Sequence, residues 1–179
     1  MANEEPLIHV GIVSAPELRF RFEGEYACLG LDKAWTGSMT ARLVGGRIVV
    51  EGGGERYEWG RELVFGPTGN GPSTFEVYDV TIGVQFHWER KENQRFTGGL
   101  TLLSSNDVLV AVNLVSIEDY LASVISSEMS ALSSLNLLKA HAITSRSWLI
   151  AQLEKSRRLK AGGKKPESLI STATELTRW

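Results

Sequence analysis

Glu128 lies in the run Ser126-Ser127-Glu128-Met129, and Lys139, His141 and Arg146 follow it on the next helix-like segment. One carboxyl group beside two cations is a set suited to proton transfer. A carboxylic acid whose ionised form is penalised by burial keeps its proton near neutral pH, can deliver it to a leaving group, and can then act as the base. Whether Glu128 has such a setting depends on the helices that carry it.

Ser116 stands three residues before Asp119 at the head of an apolar run, the pattern in which a side-chain oxygen satisfies a free amide at a helix start. A helix is therefore expected near residues 117–128. Along it Ile117, Leu121, Val124 and Glu128 recur at the helical period and share one face, with Glu128 the only acid on that stripe. If the stripe packs inward, Glu128 sits at the rim of an apolar wall and its pKa is expected above the reference of about 4.3. On spacing alone, a glutamate that faces water at a helix end is the commoner outcome. Glu118, on a different face, reads as structural.

A second helix is expected near residues 134–155, capped by Ser133 or Ser134, with no Gly or Pro to stop it. Leu135, Leu138, Ala142 and Leu149 form one apolar stripe, and Lys139, Ile143, Arg146 and Ile150 form the adjacent one. Lys139 and Arg146 then lie about 10 Å apart along the axis, a spacing that flanks Glu128 or a sugar chain and does not grip one carboxylate. Taken singly, such residues are more often solvated charges whose stems cover apolar surface.

These positions carry a resemblance to the SpoIID/LytB family, the stage II sporulation protein D and amidase-enhancer proteins. Its members read Ser-Glu-Met-Pro, a short Trp-Pro segment, Leu-Lys-Ala-Gln-Ala, then an Ala-Arg-Thr or Ser-Arg-Ser run. This chain is similar at Ser127, Glu128, Met129, Leu138, Lys139, Ala140, Ala142, Ser145 and Arg146. Upstream, Glu118-Asp119-Tyr120-Leu121 resembles the Glu-x-Tyr-Leu lead-in, and Val112-Asn113 the strand end before it. The resemblance spans about residues 96–155 and departs at Ser130, where Pro is usual, at Ser133-Ser134 in place of Trp-Pro, and at His141 in place of Gln.

The resemblance implies peptidoglycan glycan-strand cleavage of the lytic-transglycosylase type, with Glu128 as the single general acid and base. Ser127, Lys139, Arg146 and His141 would bind substrate or stabilise charge, with no cofactor and no metal. Ordinary glycosidases need two carboxyl groups about 5–10 Å apart; one suffices where the sugar's own hydroxyl closes an anhydro ring. The implied partners are glycan strands and a cell-wall amidase. The alternative is a noncatalytic wall-binding or amidase-modulating module. Some members of the family bind zinc through Cys and His in a second half that has no counterpart read here, and Cys28 is the one cysteine, so no Cys-pair site can be assembled. The end Glu175-Leu176-Thr177-Arg178-Trp179 has no Gly or polar fade and is expected to be a cut within an element.

The elements that must position these residues point to an α+β chain: an N-terminal antiparallel β sandwich or barrel-like domain over residues 1–95, then a partial SpoIID-like domain over 96–179. Ile8–Val13 and Leu18–Phe22 alternate as short strands, and Gly45-Gly46 marks a tight hairpin. Val80–Trp88 reads as the clearest strand, followed by Phe96–Leu103 and Val108–Val112. At 179 residues, 42% hydrophobic, 22% charged and a formal net charge of −2, the composition is that of an ordinary soluble protein and argues against general nucleic-acid binding. No apolar run approaches the roughly 20 residues of a membrane span. Met1-Ala2-Asn3-Glu4-Glu5 lacks the basic-then-apolar opening of a secretory signal, so location stays open, with the cell envelope implied if the protein is exported.

Other features read as structural. Gly52-Gly53-Gly54 and the Gly66–Pro72 stretch lack the Lys-Ser/Thr of a phosphate loop. His9 and His87 have no nearby ligand partners, and only His141, two residues past Lys139, reads toward the site. Trp35, Tyr57 and Trp59 are expected in core or hairpin packing more than in sugar stacking. Lys155–Lys160 and Lys164-Lys165 complement a helix C-terminus.

Overall fold

The computed structural model describes residues 6–69, 73–83, 87, 89–130 and 132–161. Lys164-Lys165, the opening pentapeptide, the tail at 175–179 and most of the 84–88 stretch lie outside the described residues. The strands are β1 (Leu7–Ala15), β2 (Glu17–Cys28), β3 (Leu31–Val44), β4 (Arg47–Gly52), β5 (Glu55–Trp59), β6 (Glu62–Pro67), β7 (Thr74–Ile82), β8 (Arg90–Thr97), β9 (Gly99–Ser105) and β10 (Val108–Ser116). The helices α1 (Ile117–Glu128) and α2 (Leu135–Ala161) follow. The class is α+β, mostly antiparallel sheet with two helices.

Two compact units divide between Val115 and Ser116. In the β unit one sheet runs in the order β1-β10-β9-β6-β2-β3-β4-β5, with β7 branching from β2 and β8 pairing β7. The branch point is built into β2. Its first half, Phe20–Glu23, pairs β7, and its last residues, Tyr26–Cys28, pair β6, while β3 takes the other edge throughout. The switch occurs across Gly24, where φ is 97° and the β3 register shifts. Before it, Leu18, Phe20 and Phe22 are buried while Arg19 and Arg21 are exposed, the alternation a half-covered strand requires.

The core is aromatic at its centre. Phe22 stacks on Tyr26 at 4.3 Å and meets Phe65 at 5.1 Å, and Trp35 lies edge-on to Phe65 at 5.4 Å and to Tyr57 at 4.9 Å. Trp35 is 1% exposed, and the partly buried Tyr57 and Trp59 pack against the same cluster, the core and hairpin packing expected of them. Asn113, a buried polar residue on β10, is satisfied because its Nδ2 donates to the carbonyls of Thr97 and Gly99 at 2.8 and 3.1 Å.

The two-glycine turn joins β3 to β4 as expected: Val44 pairs Arg47, and Gly45 and Gly46 have φ of 59° and 77°. One strand reading is extended and another corrected. The strand expected at Val80–Trp88 begins within β7, which starts earlier, at Thr74, is bulged at Asp79 with φ 57° and runs to Ile82; residues 84–86 and 88 lie outside the described residues. The strand expected at Phe96–Leu103 is broken into β8 and β9 at Gly98. Gly98 has φ of 83°, and a Cβ there would lie 2.3 Å from the Leu114 carbonyl oxygen, so side-chain pattern alone could not reveal the break. The domain edge expected after residue 95 falls inside β8; β9 pairs β6 and β10 pairs β9, which ties the chain into the sheet up to Val115.

Candidate functional site

The helical unit starts at Ser116, whose Oγ accepts from the Asp119 amide at 3.1 Å, as the sequence pattern requires. The Ile117 amide is met by the Pro6 carbonyl at 3.2 Å. Ile117, Tyr120, Leu121, Val124, Ile125 and Glu128 form the covered face of α1, with Leu121 4% exposed. The stripe therefore packs inward and carries Glu128 at its end. On α2, Ser134 caps through its Oγ to the Leu137 amide at 3.3 Å, and the helix runs six residues past the expected end at 155, to Ala161. Its covered face is Leu138, His141, Ala142, Ser145, Trp148 and Leu149. The adjacent stripe of Lys139, Ile143, Arg146 and Ile150 is exposed throughout.

This rotation of α2 decides who meets Glu128. His141 Nε2 stands 2.8 Å from Glu128 Oε2, with the two side chains only 17% and 18% exposed. Arg146 instead reaches Glu118 of α1, and that pair is about half exposed, at 47% and 55%. Lys139 is exposed and has no ion-pair partner among the described residues. The two cations expected to flank Glu128 thus do not pair with it; the imidazole does. Ser127, on the solvent side of α1, donates to the Val124 carbonyl at 2.8 Å.

Tyr120 and Glu118 are the participants sequence reasoning passed over. The Tyr120 hydroxyl is buried with no hydrogen-bond partner among the described residues. Burial pushes its phenol well above the ordinary range, and the charge of Glu128 pushes it further, so Tyr120 remains a neutral hydroxyl within electrostatic reach of the acid. Its spacing of i+4 and i+8 to Val124 and Glu128 was a readable signal. The Glu118–Arg146 pair depends on how α1 and α2 cross, for which the sequence has no signal. The second buried orphan in this unit is His141 Nδ1.

Chemically, the site is a carboxyl group shielded from water on most of its surface, with one oxygen 2.8 Å from a ring nitrogen and a phenol within electrostatic reach. Among the described residues no group of three or more His, Cys, Asp or Glu side chains is placed to hold a metal ion. No helix among them is long and apolar enough to cross a membrane.

Residues 105–177 match the family model SpoIID, described as Stage II sporulation protein. The matched stretch takes in the last turn of the sheet, β10, and both helices of the site, including Glu128 and His141. No curated protein and no solved structure matches the chain.

Proposed function

With a partial SpoIID match over residues 105–177 as the premise, we propose that this chain acts on the bacterial cell wall, cleaving peptidoglycan glycan strands with Glu128 as the single acid and base. The observation that carries this reading is the enclosed carboxyl group of Glu128 at the end of an apolar helix face, 2.8 Å from an imidazole. In the first step the Glu128 carboxylic acid gives its proton to the glycosidic oxygen as the bond to the muramyl C1 breaks. In the second the resulting carboxylate takes the proton of the muramyl C6 hydroxyl, whose oxygen closes on C1 to form the anhydro ring. The proton count returns to its start, and no water is consumed. One carboxyl group is enough for this sequence, whereas hydrolysis by the two-carboxylate route needs a partner at about 5–10 Å.

His141 orients Glu128 by holding Oε2. The exposed stripe with Lys139, and with Arg146 beside it, offers charge to the acidic groups of a bound strand. Incubating the full chain with glycan strands stripped of their peptides tests the proposal: anhydro-muramyl ends are expected, and reducing ends alone would refute it.

A second reading is favoured by one observation. Lys139 and Arg146 face away from Glu128, as cations would in a module that binds strands or an amidase without cutting. Strand binding with no new ends of any kind would select it.

A further inference from the structure

We propose that His141 is a positioning residue that directs the acid proton of the Glu128–His141 pair to Oε1 of Glu128, the oxygen that can deliver it. This rests on the reading of Glu128 as the acid.

The pair, with two exchangeable protons, has three arrangements that place one of them between Nε2 and Oε2. In the first, His141 is an imidazolium with protons on both nitrogens and Glu128 is ionised. In the second, a neutral imidazole carries its proton on Nδ1 and Glu128 is protonated on Oε2, pointing at Nε2. In the third, a neutral imidazole carries its proton on Nε2, directed at Oε2, and Glu128 is protonated on Oε1. The first two place an N–H on Nδ1. That atom is buried and has no acceptor among the described residues, and a buried N–H without an acceptor is among the rarest and costliest arrangements in folded proteins. Only the third leaves Nδ1 as a bare lone pair. It also leaves the acid proton on the carboxyl oxygen that is not engaged with the ring.

The charged surroundings do not reverse this order. On α1 the titratable groups are Glu118, Asp119, Tyr120 and Glu128 itself. Glu118 faces Arg146, Asp119 is exposed at the helix start, and Tyr120 is a buried phenol. On α2, Lys139 is exposed, Arg146 is taken by Glu118, and Glu154, Lys155 and Arg158 lie more than three turns beyond His141. None supplies an acceptor for Nδ1.

Two changes at one position separate the functions of the ring. Gln in place of His141 retains a side-chain N–H donor and has no second nitrogen that can titrate; Ala has neither. The experiment follows, by NMR in the full-length chain across pH, the imidazole nitrogens of His141 in wild type and the carboxyl carbon of Glu128 in wild type, His141→Gln and His141→Ala. The expected result in wild type is an Nδ1 that carries no proton in the form in which Glu128 is protonated. The carboxyl-carbon signal of protonated Glu128 should be alike in wild type and His141→Gln, which both present an N–H to Oε2, and should differ in His141→Ala. An Nδ1 that takes up its proton while Glu128 is still ionised would overturn the proposal. So would a protonated-carboxyl signal displaced as far in His141→Gln as in His141→Ala. A helix-packing role alone would move unfolding midpoints in both variants and would not require that Nδ1, rather than Nε2, be the wild-type nitrogen without a proton. If the expected signals are found but no protein forms anhydro ends, the proton placement stands and the assignment of Glu128 as the acid fails.

Discussion

Glu128–His141 and Glu118–Arg146 both join α1 to α2, and they should differ in energy because they differ in exposure. Glu128 and His141 are 18% and 17% exposed at 2.8 Å, so their contact operates where water screens little, and leaving either polar partner covered and unpaired costs about 1–3 kcal/mol. Glu118 and Arg146 are 55% and 47% exposed, which places them with surface pairs that contribute about 0–1 kcal/mol. The perturbation is a pair of double-mutant cycles: Glu128→Ala with His141→Ala, and Glu118→Ala with Arg146→Ala. Each set is unfolded in urea and followed by helical circular dichroism, and the coupling is the departure of the double mutant from the sum of the singles. The first cycle should give the larger coupling, by about 1 kcal/mol or more. Raising the salt from about 0.1 M to 1 M shortens the screening length from about 10 Å to 3 Å, which should erase the second coupling and spare most of the first. Equal couplings, or a first coupling that vanishes in salt, would show that Glu128 is solvated and would refute the enclosed-acid reasoning.

Other outcomes follow from single positions. Gly98→Ala introduces a side chain at φ 83° with its Cβ 2.3 Å from the Leu114 carbonyl oxygen; left-handed backbone and overpacking together cost roughly 2–5 kcal/mol, a fall in Tm that calorimetry should register and that a change under about 2 °C would contradict. Lys139→Ala removes an exposed charge without an ion-pair partner among the described residues, so urea midpoints should stay within about 0.5 kcal/mol of wild type, while strand binding weakens and becomes less salt-sensitive. Unchanged binding would remove Lys139 from the proposed strand contacts.

The helices were the legible part of this chain. Ser116 three residues before Asp119, and an apolar period that ends on Glu128, define α1 because capping and amphipathicity are local properties. The rotation of α2 was not legible. Two adjacent stripes of equal period were available, one with Leu138 and Leu149 and one with Lys139 and Arg146, and only packing shows that the first turns inward and brings His141 with it. In the sheet, the Gly45-Gly46 hairpin could be read because its turn chemistry is contained in two residues. The branch at β2 could not, since Phe20–Glu23 and Tyr26–Cys28 choose partners more than thirty residues away. Gly98, which breaks the strand expected at Phe96–Leu103, and Asp79, which bulges β7, lie against Leu114 and Asn93 in contacts that no local pattern encodes.

The central claim is that a single carboxyl group at position 128 performs both proton transfers. Its most direct test compares wild type with Glu128→Gln, a change that keeps the side chain's shape and removes the acid, on peptide-free glycan strands, with circular dichroism confirming that both are folded. Anhydro-muramyl ends should accumulate with wild type and be absent with Glu128→Gln, while strand binding is equal in the two. Ends formed at the same rate by both proteins would contradict the account.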